Sequence, residues 1–220
     1  DICFTSDRGR IWCYQKKSGE FRLHELPTKA RITSIHAVGN DNTVVTTDSD
    51  GFFLSNLKTN KHIHYSPVTC KELSDQPILS AYVDRTSEVW FEQEEPGVVV
   101  HFNPATGVVK REQMRVEYSN ADRSRPAFHI HEDIHGHVWV HPYGGGFSYF
   151  DRERNCLVPF YDDLGSNNWR FSNKIHAAFS DKQGNLWLCT HSKGLEKVTF
   201  RNVPFSMLIP VPHEYESCLL

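Results

Sequence analysis

Asp181-Lys182-Gln183-Gly184-Asn185-Leu186-Trp187-Leu188-Cys189-Thr190, followed by Gly194, reads as a tight turn leading into a strand. An aspartate that opens such a turn can accept backbone N–H groups, and a glycine at the fourth position suits type I geometry. The chain repeats this pattern upstream. Asp133-Ile134-His135-Gly136-His137-Val138-Trp139-Val140 with Gly146 is one copy, and Asp84-Arg85-Thr86-Ser87-Glu88-Val89-Trp90-Phe91 with Gly97 is another. Looser copies place Val44 before Gly51 and Ile2 before Gly9. In all five an apolar residue stands seven before the glycine, and these anchors fall at 2, 44, 90, 139 and 187, a period of 42 to 49 residues. Short strands recurring at that period predict an all-β fold of β-propeller blades.

Each repeat divides into four strands. In the fourth repeat, residues 128–132, 137–141, 147–150 and 157–160 are the predicted strands, separated by turns at 133–136, 145–146 and 151–155. Ile35, Ala81, Ile130 and Ala178 hold equivalent places in the first strand, and His36, Tyr82, His131 and Phe179 follow them. The turn before the fourth strand spans 15–19, 56–60, 103–107 and 151–155, and each copy ends in Gly or Asn. Those are the two residues best suited to a left-handed position. Val98-Val99-Val100 and Leu186-Trp187-Leu188 are apolar on both faces. A sheet with one wet face would alternate more cleanly, whereas a blade is covered on both sides.

The blades fall at 31–76, 77–126, 127–172 and 173–220, the last with an irregular tail, after a partial blade at 1–30 that lacks its first strand. That makes about four complete four-stranded antiparallel blades and part of another. Residues 203–209 offer a fourth strand for the last blade, and 217–220 could supply the strand that closes a five-bladed ring. Completion of the ring by further sequence is favoured over that closure, because repeat arrays need capped ends. The chain opens inside a repeat, without an initiator Met or targeting segment, and is read as a piece of something longer. Long connectors at 66–77, 112–126 and 161–174 should cross one mouth of the ring, where binding residues are expected.

Composition narrows the function. The 220 residues are 39% hydrophobic and 23% charged, enough for a core and too apolar for global disorder. A net charge of −3 offers no basic surface for nucleic acid. No apolar run reaches the roughly 18 residues of a membrane helix. Six cysteines include no CxxC pair, so zinc is not suggested. Cys3 and Cys13 fall on adjacent strands of one hairpin. They are either a pair or two small buried thiols, and burial is the commoner state of strand cysteines.

The repeated Asp-x-x-Gly-x-Leu-Trp-Leu-x-Thr, its glycine turn and a strand ending in aromatic-Asp resemble the two-component regulator propeller repeat. Asp181 to Gly194 and Asp133 to Asp151 match best, and Ser172-Asn173-Lys174-Ile175 resembles the lead-in to such a blade. The resemblance runs from Ile2 to about Phe200 and is weakest where Val44 replaces Trp. It implies the periplasmic sensor region of a hybrid two-component protein of the kind known in gut Bacteroidetes. Such proteins carry two seven-bladed propellers, a β-sandwich, one membrane helix, a histidine kinase and a transcription-regulating output. It also implies a carbohydrate ligand, partnership with the remaining sensor and kinase domains of the same polypeptide, and room for a homodimer. This chain shows no phosphorylatable His box and no nucleotide-binding Gly-rich segment, so no catalysis is expected of it. The family's motif residues are structural and carry no ligand contact across.

Candidate ligand residues must therefore come from what the repeat leaves unexplained. Trp169 is off the repeat pattern, in the polar run Gly165-Ser166-Asn167-Asn168-Trp169-Arg170. An indole face beside amides and an arginine suits a sugar ring, although connector aromatics also anchor loops. Arg125, with Arg123 and Tyr118, offers cations for an acidic group, and Tyr143 sits in a glycine-rich turn explained by backbone shape alone. His129, His131 and His137, with His135 and His141, are the metal candidates. Against a metal, His131 stands where Tyr82 and Phe179 pack, and no cofactor is called for. Trp90, Trp139 and Trp187 are in register and belong to the core, and Trp12 is expected to pack too. No Gly-x-Ser-x-Gly or His-Glu-x-x-His motif is present. A propeller lyase of the streptogramin lyase type, whose repeats resemble these, is the enzyme alternative. A protein-interaction propeller is the other.

Overall fold

A computed structural model describes residues 1–39, 41–114, 129–142, 147–159, 175–190 and 194–199. Its described residues form five antiparallel sheets and no helix. The first sheet holds β1 (Ile2–Asp7), β2 (Arg10–Gln15) and β3 (Glu20–Glu25). The second holds β4 (Ile32–Val38), β5 (Asn42–Thr47), β6 (Phe52–Asn56) and β7 (Lys61–Tyr65). The third holds β8 (Ile78–Val83), β9 (Val89–Gln93), β10 (Val98–Asn103) and β11 (Val108–Gln113). The fourth holds β12 (His129–Glu132), β13 (Val138–His141), β14 (Ser148–Asp151) and β15 (Cys156–Pro159). The fifth holds β16 (Ile175–Ser180), β17 (Leu186–Thr190) and β18 (Gly194–Val198). Strands pair in chain order within every sheet, so each is a meander. The first sheet has three strands, β1 to β3, where the second, third and fourth sheets each have four. The segments 203–209 and 217–220 lie outside the described residues.

An apolar layer fills each gap between consecutive sheets. Ile11 and Cys13 pack on Val45 and Phe53, Val44 and Leu54 on Phe91 and Val100, Trp90 and Val99 on Val138 and Val140, and Trp139 and Phe147 on Leu186 and Leu188. A sheet buried on both faces cannot alternate apolar and polar residues, which explains the continuous Val98-Val99-Val100 run, fully buried along its length. Inner strands of adjacent sheets touch, β4 with β8 and β12 with β16. These are the blades of a β-propeller.

Register follows the repeat closely. Ile35, Ala81, Ile130 and Ala178 each stand opposite the residue after the anchor, and His36, Tyr82, His131 and Phe179 stand opposite Val44, Trp90, Trp139 and Trp187. The five-residue turns end at Gly19, Asn60, Gly107 and Asn155 with φ of 75°, 55°, 72° and 54°, the left-handed conformation their composition predicts.

Two expectations change at the first blade. Ile2 is not the anchor. Across β1 and β2, Cys3 faces Cys13 ten residues on, as Val44 faces Leu54, Trp139 faces Tyr149 and Trp187 faces Lys197. Cys3 therefore holds the place facing the next blade, and Ile2 points the other way and is exposed. The turn carrying Gly9 is shorter than its counterparts and β1 contains a register shift, so counting seven from the glycine lands one residue off. In a strand one residue is a change of face. The second change is that Cys3 and Cys13 form a disulfide rather than two free thiols, with a Cα separation of 4.1 Å. Direct cross-strand opposition brings the two sulfurs within bonding reach. Trp90 and Trp139 are buried, whereas Trp187 is half-buried on the outward face of the fifth sheet and Trp12 is half-buried on the outward face of the first.

Candidate functional site

A four-stranded meander sends its turns to two opposite edges. The turns between first and second strands and between third and fourth strands share one mouth of the stack. The turns between second and third strands and the connectors to the next blade share the other.

The first mouth is knitted together by its own residues. Asp84, Asp133 and Asp181 each accept two backbone N–H groups on Oδ1, from Thr86 and Glu88, from His135 and His137, and from Gln183 and Asn185. The other oxygen of each accepts the indole N–H of the anchor tryptophan, at 3.0 Å from Trp90 and 2.9 Å from Trp139 and Trp187. Burial would raise the Asp84 and Asp133 carboxyls, but hydrogen bonds outweigh it and hold both below the ordinary aspartate range. The Trp187 and Asn185 bonds pull Asp181 down to about 2. Between the third and fourth blades, Arg152 reaches Asp84 at 3.1 Å and Glu88 at 3.3 Å, and Arg85 reaches Glu132 at 2.7 Å and the carbonyls of Asp133 and Ile134. These charges serve cohesion between blades.

The second mouth is where a concave site opens. Its connector at 66–77 is drawn into the stack: Cys70 and Leu73 join the apolar layer, and buried Gln93 donates to the carbonyls of Ser74 and Gln76, both at 3.0 Å. At the seam of the first two blades lies a cavity of about 720 Å3, lined by Thr5, Arg8, Lys29, Ala30, Arg31, Ile32, Asp48 and Ser49. The short connector between β3 and β4 builds its wall. Leu26 N–H donates to Gly9 O at 2.8 Å and Gly9 N–H to Ala30 O at 3.2 Å. A Cβ at Gly9 would stand 2.5 Å from the Thr28 carbonyl oxygen, so only glycine lets the two segments lie this close. On the other side Arg31 N–H donates to Asp48 Oδ1 at 3.1 Å and Asp48 N–H returns to Arg31 O at 3.0 Å. A second cavity, of about 430 Å3, opens toward the first mouth of the same seam beside Cys3, Cys13, Arg22, His24 and Lys58.

Trp169, Arg170, Arg125 and Tyr143 lie outside the described residues. The strands that flank them, β11, β12, β13, β14, β15 and β16, end or begin at the second mouth on their side. Of the histidines, His129 opposes His141 in the ladder, and nothing is described of the His129 side chain. His131 opposes Trp139, and its Nε2 lies 2.8 Å from Ser180 Oγ on the next blade. His137 Nδ1 is 2.9 Å from Asp133 Oδ2. The His131 and His137 rings are thus engaged separately, and among the described residues no three His, Cys, Asp or Glu side chains are placed to hold a metal. Arg8, Lys29 and Arg31 escaped the sequence reading because their connector is short and the β2–β3 hairpin separates Arg8 from Lys29 in the chain. The one local signal is the pair of cations flanking Ala30.

Comparison with known proteins agrees with this architecture. The family described as two component regulator propeller matches residues 170–192. No curated protein matches by sequence. Among solved structures, the extracellular domain of a hybrid two-component system from B. thetaiotaomicron superposes with a TM-score of 0.53 at 16% identity, over 87% of this chain and 26% of its own. A second such domain from that organism gives 0.55 at 20% identity, over 89% and 25%. Virginiamycin B lyase from Staphylococcus aureus gives 0.57 at 12% identity, over 90% and 66%. The chain spans about a quarter of the length of the two-component domains. At these identities the superpositions establish the fold alone. The chain is a run of β-propeller blades, and within it residues 170–192 match the two-component regulator propeller repeat.

Proposed function

We propose that this chain is part of the extracytoplasmic ligand-sensing propeller of a hybrid two-component sensor, that it binds a carbohydrate fragment, and that it is not itself catalytic. The observation that carries the proposal is the contrast between the two mouths. The first is knitted by Asp–Trp pairs and, between the third and fourth blades, by ion pairs, and the cavity described there is the smaller at about 430 Å3, whereas the second gathers the connectors and a polar-lined cavity of about 720 Å3. The repeat match at 170–192 and the likeness to sensor domains support the setting. A ligand seated across blades would favour one arrangement of the neighbouring domains by its differential affinity, and a kinase region elsewhere in the polypeptide would read that bias. Trp169, Arg170, Arg125 and Tyr143 are the ligand contacts in this proposal, by residue type and place in the connectors and the glycine-rich turn.

Calorimetry of the purified chain against a panel of oligosaccharides tests it. Saturable binding of one member, weakened about tenfold or more by Trp169→Ala, is the expected result. Binding of none overturns the carbohydrate assignment, and unchanged affinity in Trp169→Ala removes that residue from the site.

A further inference from the structure

We propose that the first-mouth end of the seam between the first two blades binds a small organic acid, its carboxylate held by Arg22 and His24 and its aliphatic part lying over Leu57 and the Cys3–Cys13 bridge. The site is separate from the second mouth, and sugar binding there is not needed for it.

Arg22 and His24 stand two apart on β3, opposite Cys13 and Ile11, so both share the face that meets the second blade. Side chains at that spacing start about 7 Å apart along a strand, close enough for a guanidinium and an imidazole to converge on one carboxylate. His24 is only 9% exposed. Among the described residues neither its ring nitrogens nor the Arg22 guanidinium has a hydrogen-bond or ion-pair partner. A buried imidazole in that state has lost its bonds to water without a replacement, and a ligand oxygen would restore one. The ring nitrogens of His101 are sealed in the core, whereas those of His24 are not. His24 lines both the cavity of about 430 Å3 and the hollow that continues from it past Leu57 and Lys58 to Asn60. Burial first, then Arg22 and His62, hold its pKa below the ordinary histidine range, so the neutral ring donates one N–H while Arg22 supplies the charge.

The rest of the wall selects the ligand. Asp41 pairs with Lys58, and Glu25 accepts from Arg10 Nε at 3.3 Å. Asp1, the remaining acid, makes no ion pair with Arg22. Arg22 is therefore the cation a ligand meets, and its planar fork of donors matches the two oxygens of a carboxylate. The floor is apolar: Leu57 and Cys3 are partly buried against the core of this seam. No Trp, Tyr or Phe is among the described lining residues, so the cavity offers an aliphatic surface rather than a ring for a sugar to stack on. The walls are built before a ligand arrives. The Lys58–Asp41 pair joins the 56–60 turn to the turn before β5, and Asn56 Oδ1 accepts the Lys58 N–H at 3.1 Å. The disulfide fixes β1 to β2 beneath Arg22. Groups held in this way lose little freedom on binding.

NMR titration of the whole chain with hexanoate, hexanamide, acetate and N-acetyl-leucine tests the proposal. Hexanoate is expected to bind about tenfold tighter than hexanamide, which lacks the charge, and than acetate, which lacks the tail. Arg22→Gln, at an exposed position, should weaken hexanoate about tenfold while thermal unfolding keeps its midpoint. His24→Phe keeps a ring without its N–H and should weaken hexanoate about fivefold. If that buried variant does not fold, Arg22→Gln decides. Unchanged affinity in Arg22→Gln, or in folded His24→Phe, overturns the proposal. Hexanamide binding as tightly as hexanoate overturns the carboxylate contact, and acetate binding as tightly overturns the aliphatic floor. N-acetyl-leucine binding tighter than hexanoate upholds the site and makes a peptide terminus its source, whereas tighter hexanoate makes the source a free acid. Absence of binding by both overturns the site. Each of these failures leaves sugar binding by the connectors standing, and Arg22→Gln should not alter it.

Discussion

The indole N–H of Trp139 donates to Oδ2 of Asp133 at 2.9 Å, joining the first residue of a turn to the middle of the strand that follows it. The same carboxylate accepts the backbone N–H groups of His135 and His137, and Asp133 is buried. One side chain thus shapes the turn, orients the tryptophan and sets where β13 begins. Asp133→Ala leaves these donors without an acceptor, and the expected cost is about 3 to 4 kcal/mol. Trp139→Phe keeps a ring in the layer but loses the charge-assisted bond and strands the buried carboxylate, at about 2 kcal/mol. Urea unfolding of both variants measures this. A loss below about 1 kcal/mol in Asp133→Ala would show that the turn forms without it.

Acid should act through the same aspartates. Hydrogen bonds hold Asp84, Asp133 and Asp181 below their usual range, Asp181 at about 2. A carboxyl whose folded pKa lies below its unfolded value adds stability above the unfolded value. It loses that stability as pH falls through the folded one. Unfolding free energy should therefore decline from about pH 4 toward pH 2, and Asp181→Asn should make the decline shallower. An identical acid limb in Asp181→Asn would contradict this.

His101 is the second pH-sensitive group. It stacks on Trp90 at a centroid distance of 4.7 Å and meets Phe150 edge-on at 5.2 Å, and among the described residues neither ring nitrogen has a hydrogen-bond partner. Burial first, then Lys110 and Arg152, push its pKa from 6.5 down to about 4. The unfolded chain takes up this proton more readily, so stability is fully present above about pH 6.5 and is lost as pH falls toward 4. The loss is on the order of 3 kcal/mol. His101→Phe should remove that dependence and stabilise the protein at neutral pH by about 1 kcal/mol, since an aromatic ring replaces an unsatisfied polar one. Guanidinium unfolding at pH 7 and pH 5 would decide it, and an unchanged difference between the two would rule His101 out as the source.

Glycine substitutions separate conformational strain from packing. Gly184 and Gly194 both have positive φ, 83° and 75°. Among the described residues a Cβ at Gly194 meets nothing within 4 Å, whereas one at Gly184 stands 2.7 Å from His135 Nε2 and 3.0 Å from Ile134 Cδ1 of the preceding blade. Gly194→Ala should cost about 1 kcal/mol from backbone strain alone. Gly184→Ala should cost more, and adding His135→Ala should recover part of the difference. A double-mutant cycle reads that coupling, and strict additivity would mean that the blades do not meet there.

Much of the fold was legible because propeller blades state their chemistry locally. A left-handed turn position favours Gly or Asn, so Gly19, Asn60, Gly107 and Asn155 marked their turns without help from the rest of the chain. The His131 position was legible for the same reason: its place opposite Trp139 follows from equivalence with Tyr82 and Phe179. The seam cavity was not legible. It joins Arg8 of one blade to Asp48 of the next, and the repeat that makes their turns equivalent does not say which side chains meet across the seam.

The sequence by itself determined the meander, the turn chemistry and the in-register tryptophans, because each depends on residues within one repeat. Tertiary structure alone decided which face of the first blade meets the second. There a short turn and a register shift in β1 turn Cys3 inward and Ile2 outward, and the inward position lets Cys3 bond to Cys13. Tertiary structure also decided that Asp84, Asp133 and Asp181 each hold a turn and a tryptophan at once, and that Arg8, Lys29 and Arg31 share a cavity. A one-residue slip costs nothing in composition yet reverses a strand's faces, and side chains distant in sequence become neighbours only when sheets pack.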